Sequence, residues 1–441
     1  MEDEKRQIVA FSVDHDGCLL HRGIIGIIRI IFKGTLTGGE ENSLRFRDLL
    51  PDQKSKYHAL FAEQNKPFID FVVDVIKAAD KSFADEQRST FTNSSVRLFV
   101  GSSRQSYEID NYNDAMGEER GFGSAFSEIK VICDAIQKAL PSPTDIEVDP
   151  LLLADIYGEL KYGESFERAL AALELQEEVN SIRQHEKEAL LEKRWQLLSS
   201  FFDAYLLDPS DQTECLDPAA LAFSLQYPIE SISKQKITLK HETLSCLQLR
   251  REALETRLEA LNATHAKIQK MDHGKFDIIY AQTHRLAAQS EKAAIHFYFI
   301  DDKDDILQGL DNFFRRYADI LPYNLQLYLV KYIDGNSVAL FSTPIRGTGV
   351  IDKNYEKTIR EMDLVFLKMP LGKINKIAFF LAGYFYLKRL NLFRQDDSHN
   401  PSIESPRMQA FFSHCCEMPP TRPSTPSTSM QDGNADCKMQ L

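Results

Sequence analysis

Ile8-Val9-Ala10-Phe11-Ser12-Val13-Asp14-His15-Asp16-Gly17-Cys18-Leu19 is an apolar run that stops at two carboxylates one residue apart and then a glycine. Such a run reads as a buried strand that delivers acids to its C-terminal edge, the place where α/β sheets build their sites. Backbone fans out at a strand end, so Asp14 and Asp16 can project toward one pocket, and Gly17 permits a tight turn close to a ligand. Two carboxylates in that position can divide the work of nucleophile and general acid/base, or hold a hard cation such as Mg²⁺.

Outward from this stretch the chain alternates. Gly23 to Phe32 is dense in isoleucine, which favours an extended segment or hairpin. Asn65-Lys66-Pro67 opens a helix with Phe68, Phe71, Val72, Val75 and Ile76 on one face. Val96 to Val100 is a second strand running into Gly101-Ser102-Ser103-Arg104-Gln105-Ser106. Small hydroxyls beside a glycine suit a phosphoryl group, which wants hydroxyl and backbone N–H donors without bulk. A helix over Phe126 to Leu140 and a third strand over Leu151 to Asp155 complete a strand-helix rhythm, the signature of a parallel sheet.

That rhythm then breaks. From Glu164 to Leu207, and again from His241 to Met271, an apolar stripe at 3–4 spacing runs among charged residues, which predicts two long amphipathic helices; the seam, broken at Arg251 and His265, favours an intramolecular hairpin over the alternative, a dimeric coiled coil. Sheet-like sequence returns at Ala294 to Ile300, which ends in Asp301-Asp302-Lys303-Asp304-Asp305 and repeats the logic of Asp14 and Asp16. Two acidic strand ends in one sheet can jointly chelate Mg²⁺. A helix near Leu310 to Tyr317, a strand over Leu325 to Ile333 and a hairpin through Asp334-Gly335-Asn336 to Val338–Ser342 follow. Gly372 to Leu390 reads as a last helix, apolar on most faces, in a segment (341–394) with ten Lys/Arg against four Asp/Glu. Burial or contact with an anionic membrane surface would each account for it. Beyond Gln395 the Pro, Ser and Thr content cannot bury enough apolar surface to fold.

Composition bounds the rest. The 441 residues, 43% of them apolar, suffice for two or three domains with a real core. A formal charge of −13 argues against nucleic acid as a main partner. Seven cysteines without a C-x-x-C pair or Cys/His metal spacing fit a reducing cytosol, and the acidic Met1-Glu2-Asp3-Glu4 lacks the basic and apolar regions of a secretory signal.

With these pieces in order the chain resembles the haloacid dehalogenase-like superfamily of phosphohydrolases. The resemblance rests on Asp14-His15-Asp16 at the first strand end, Ser102 after the second, Lys275 opening the helix before the next strand, and the acidic cluster at Asp301 and Asp302. It implies an α/β fold: a Rossmann-like parallel-sheet core, in two parts (1–157 and 272–345), with a large helical insertion as cap (158–271), a basic C-terminal helical region (346–394) and a disordered tail (395–441). By the resemblance Asp14 is the nucleophile that takes the phosphoryl group, and Asp16 protonates the leaving group and then activates water. Ser102 and Lys275 bind the phosphoryl oxygens, and Asp14, Asp16, Asp301 and Asp302, with Asp305 in support, hold Mg²⁺. These roles require Asp14 ionised and Asp16 protonated at the first step. Phe276 stands where proline is common, and Cys18 stands where Thr or Val is usual and is expected to pack.

Asp14 to Cys18, Gly101 to Ser106 and Ala154 to Gly158 are also similar to segments of dehalogenase-like effectors delivered by the Dot/Icm type IV secretion system. This second resemblance implies a translocated bacterial phosphatase that meets a host phosphoprotein, including phosphotyrosine, in the host cytosol or at a membrane surface. The alternative is a non-catalytic effector that binds a host protein or membrane through its helical insert or its basic C-terminal helix.

Overall fold

Val9, Ala10 and Phe11 are wholly inaccessible to solvent, which makes the first strand the centre of a sheet covered on both faces. The computed structural model describes residues 7–32, 45–87, 95–114, 122–140, 145–207, 244–263, 275–333 and 335–360. Strands β1 (Gln7–Val13), β2 (Ser95–Val100), β3 (Ile146–Val148), β4 (Ala294–Asp301), β5 (Leu325–Ile333), β6 (Ser337–Leu340) and β7 (Ile345–Arg346) form one sheet. Its order is β3-β2-β1-β4-β5-β6, with β7 also against β5. The pairs from β3 to β5 are parallel, and β6 and β7 run antiparallel to β5. The protein is therefore a mixed α/β structure around a mostly parallel, Rossmann-like sheet.

Alternation along β1 sends Val9, Phe11 and Val13 into one apolar cluster. That cluster also takes in residues of helices α1 (Arg22–Phe32), α2 (Pro51–Gln64), α3 (Lys66–Gln87) and α5 (Ala125–Ala139), the last of which follows a short α4 (Tyr107–Asn113). Burying Phe11 alone contributes about 2–3 kcal/mol.

Two expectations are corrected here. Arg22–Phe32 is a helix, not an extended segment, because Ile24 and Ile28 recur at helical spacing and are fully buried on one face. The third strand is Ile146–Val148, and Leu151 to Asp155 instead leads into helix α6 (Leu153–Tyr157). A short continuous apolar run is compatible with either state, and here Leu151 to Ala154 are buried without a strand partner among the described residues.

The amphipathic stripes form α7 (Glu164–Leu207) and α8 (Leu244–Ala263). Asp155 starts α7 by accepting the N–H groups of Gly163 at 2.9 Å and Ser165 at 2.8 Å. The two helices pack through Val179, Ile182, Leu247 and Leu254 and carry the ion pairs Arg183–Glu255, Arg250–Glu178 and Arg251–Glu186. Helices α9 (Lys275–Gln289) and α10 (Asp304–Arg316) flank β4 in the chain. Residues beyond β7 return to the sheet's margin: Gly349 N–H donates to Leu321, and the Asp352 carboxylate accepts from Tyr280 and Thr358. The compact unit that contains the sheet runs to Ile359. The helix expected over Gly372 to Leu390 and the tail from 395 lie outside the described residues. No described helix is long and apolar enough to cross a membrane.

Candidate active site at the sheet's switch point

From β1 the chain moves outward through β2 to β3, then returns to place β4 on the other side of β1. The crevice at the C-terminal ends of β1 and β4 is therefore the topological switch point, the usual ligand site of such sheets. Register brings three strand ends level there, since Val13 pairs with both Val100 and Ile300. Asp14 N–H donates to Ile300 at 3.0 Å, and Gly101 N–H donates to Val13 at 2.8 Å. Gly101 has to be glycine for this approach, because a Cβ would stand 2.7 Å from Ser12 Oγ and 2.9 Å from the β1 backbone.

Lys275, the first residue of α9, closes the crevice. Its Nζ lies 2.8 Å from Asp14 Oδ1 and 3.5 Å from Asp301 Oδ2, and donates to the Gly101 carbonyl at 2.9 Å. Burial would lower its pKa, but Asp14 and Asp301 outweigh burial and hold the ammonium well above its ordinary value. Asp301 is fully buried; burial pushes its pKa up to about 6 against the pull of Lys275. Asp14 Oδ1 also accepts the His15 N–H at 3.0 Å. Three residues far apart in sequence are thus one ion-paired cluster.

Asp302 packs against the turn after β1. Gly17 has φ +88°, and a Cβ there would lie 2.3 Å from Asp302 Oδ2, so glycine makes room for that carboxylate. Ligand atoms of Asp14, Cys18 and Asp302 all lie within 4.8 Å of one another. Two carboxylates converging on a cradle that only glycine leaves open fit a divalent cation, Mg²⁺ included. Asp16, Asp301 and Asp305 are not in this group, and Asp305 is exposed in the first turn of α10. Ser102 is buried two residues past the β1–β2 register; its Oγ accepts the Arg104 N–H at 3.3 Å and its own O–H remains a donor.

Asp16 faces a different environment from Asp14. Arg104, fully buried, clasps it with Nε to Oδ2 at 3.0 Å and Nη2 to Oδ1 at 2.6 Å, and His15 Nδ1 adds a contact at 3.3 Å. Burial opposes ionisation, but Arg104 and then His15 overcome it and hold Asp16 far below the usual carboxylate range. His15 Nε2 meets Glu128, whose other oxygen accepts from Tyr57. Burial would lower the imidazole, yet Glu128 and the hydrogen bonds raise it to about 9. Beyond Arg104, Asp110 bonds Arg104, Arg47 and Ser124, and Asp114 bonds Arg47 and the Phe46 and Arg47 N–H groups. Burial lifts Asp114 to about 6.

The sequence alone does not single out Arg104, His15 or Glu128. Arg104 does stand in the Gly101–Ser106 run, but its partners lie 88 and 6 residues away, and nothing local marks them. No family model, curated protein or solved structure matches this chain.

Proposed function

We propose that the chain is a Mg²⁺-dependent phosphatase of the haloacid dehalogenase-like kind, which forms an aspartyl phosphate on Asp14. The observation that carries this reading is the Lys275–Asp14–Asp301 cluster at the switch point, assembled from the ends of β1 and β4 and the start of α9. Asp14, on the strand end, attacks phosphorus in line as the bond to the leaving oxygen breaks; water then hydrolyses the acyl phosphate, releasing phosphate and restoring the carboxylate. Lys275 and the Ser102 hydroxyl supply donors for the equatorial oxygens. Asp14 and Asp302 would hold Mg²⁺, which when bound neutralises phosphoryl charge.

Asp16, clasped by Arg104, is set up as a carboxylate that takes a proton from attacking water. Donating to a leaving group requires it first to let go of Arg104 and gain a proton. The α7–α8 pair, inserted between the two halves of the sheet, would serve as cap. A host phosphoprotein substrate and delivery as a secreted effector rest on the resemblance of Asp14–Cys18, Gly101–Ser106 and Ala154–Gly158 to dehalogenase-like effectors.

Hydrolysis of p-nitrophenyl phosphate and of a phosphotyrosine peptide by the full chain, with and without Mg²⁺, tests the proposal. Turnover that needs both the metal and Asp14 is expected. Turnover unchanged in Asp14→Asn would overturn it.

A further inference from the structure

Cys18 is wholly buried in the apolar cluster, at the margin where that cluster meets the acidic site. Its Sγ lies within 4.8 Å of ligand oxygens of both Asp14 and Asp302. Asp301 Oδ2 is buried as well; among the described residues it receives no hydrogen bond and pairs with the Lys275 ammonium at 3.5 Å. Threonine or valine would fill the volume of Cys18 without bringing sulfur to a carboxylate pair. Mg²⁺ gains little from sulfur, whereas Co²⁺ and Zn²⁺ bind it well.

Resting on the metal-dependent reading above, we infer that Cys18 is a direct ligand in this site, so that Asp14, Cys18 and Asp302 form a mixed oxygen and sulfur set. Such a set also accepts a borderline cation of the Co²⁺ or Zn²⁺ type at the place where the proposed reaction uses Mg²⁺. As the metal–sulfur bond forms, the thiol proton passes to solvent.

The test is a Co²⁺ titration of the metal-stripped full chain, followed by near-ultraviolet absorption and equilibrium dialysis, with Cys18→Ser and Cys133→Ser alongside. An intense sulfur-to-cobalt charge-transfer band is expected in the wild type and in Cys133→Ser. Cys18→Ser should lose the band and bind Co²⁺ about tenfold or more weakly. Cobalt-edge X-ray absorption of the wild type, which needs no folded variant, should show a sulfur neighbour at about 2.3 Å. Co²⁺ bound with oxygen and nitrogen neighbours only, a band that persists in Cys18→Ser, or no Co²⁺ bound at all would each overturn the inference. Mg²⁺-dependent hydrolysis by the wild type is scored separately. Hydrolysis without a cobalt–sulfur bond removes Cys18 and leaves the phosphatase standing; the bond without hydrolysis does the reverse.

Discussion

Replacing Lys275 by methionine keeps the length of the side chain and removes the charge on which the site is assembled. The ammonium serves Asp14 at 2.8 Å, Asp301 at 3.5 Å and the Gly101 carbonyl at 2.9 Å, and the side chains of Asp14 and Asp301 are 7% and 0% exposed. Breaking a buried ion pair by removing one partner costs about 3–5 kcal/mol, because the other charge is left uncompensated. The loss depends on pH in a stated direction. Asp301 titrates at about 6 in the folded protein, so near pH 5 it already holds its proton and has little attraction to lose. Near pH 8 it is ionised, and without Lys275 it must either stay charged beside Asp14 or take up a proton. Urea unfolding followed by circular dichroism at both values should therefore show Lys275→Met destabilised by about 3–5 kcal/mol at pH 8 and by clearly less at pH 5. Phosphatase turnover at pH 8 should fall by about 10²–10³. A loss below about 1 kcal/mol at pH 8, or a loss that grows toward pH 5, refutes the cluster as described.

Three further outcomes follow from other parts of the structure. His15, raised from 6.5 to about 9, contributes on the order of 3 kcal/mol below pH 6.5, and this fades as pH rises through 9. The stability gap between wild type and His15→Gln, read by urea unfolding, should accordingly narrow from pH 6 to pH 10, and a widening gap would contradict the Glu128 contact. Gly17→Ala forces φ +88° on a residue with a Cβ and drives that Cβ into Asp302; calorimetry should show a loss of about 1–3 kcal/mol, with weaker divalent-cation binding. Leu254→Asp puts a charge between α7 and α8, and hydrogen exchange should open that pair while β1 and β4 stay protected.

The sheet was legible where both the run and its end were distinctive. Gln7–Val13 is a near-continuous apolar run, as a strand buried on both faces must be, while Ala294–Asp301 and Leu325–Ile333 alternate buried residues with half-buried or exposed ones over their first halves. Glu164–Leu207 was legible from its stripe. Arg22–Phe32 misled because isoleucine's preference for strands is weaker than the helical spacing of Ile24 and Ile28. Leu151 to Asp155 misled because apolar character without periodicity does not distinguish strand from helix. Pro51–Gln64 has a short start signal: Pro51 stands at its first turn and Gln53 accepts the Leu50 N–H.

Within the site, the acids and Lys275 carry a spacing that can be read, while the electrostatics around them cannot. Asp14 and Asp16 look equivalent in sequence. One faces Lys275 and the other Arg104, a difference created by helices and turns 88 to 261 residues away. The requirement that Asp16 be protonated at the first step meets surroundings that favour its carboxylate. Cys18 packs as expected, wholly buried in the apolar cluster, while its nearness to Asp302, which follows β4 far later in the chain, has no mark in the local sequence.

The most direct measurement is to trap the intermediate. The full chain turning over a phosphotyrosine peptide or p-nitrophenyl phosphate with Mg²⁺ is quenched with borohydride, which reduces an acyl phosphate on aspartate to homoserine, and the peptides are mapped by mass spectrometry. Conversion at Asp14, absent in Asp14→Asn and in samples without substrate, is the predicted result. Steady turnover with Asp14 unmodified would contradict the account.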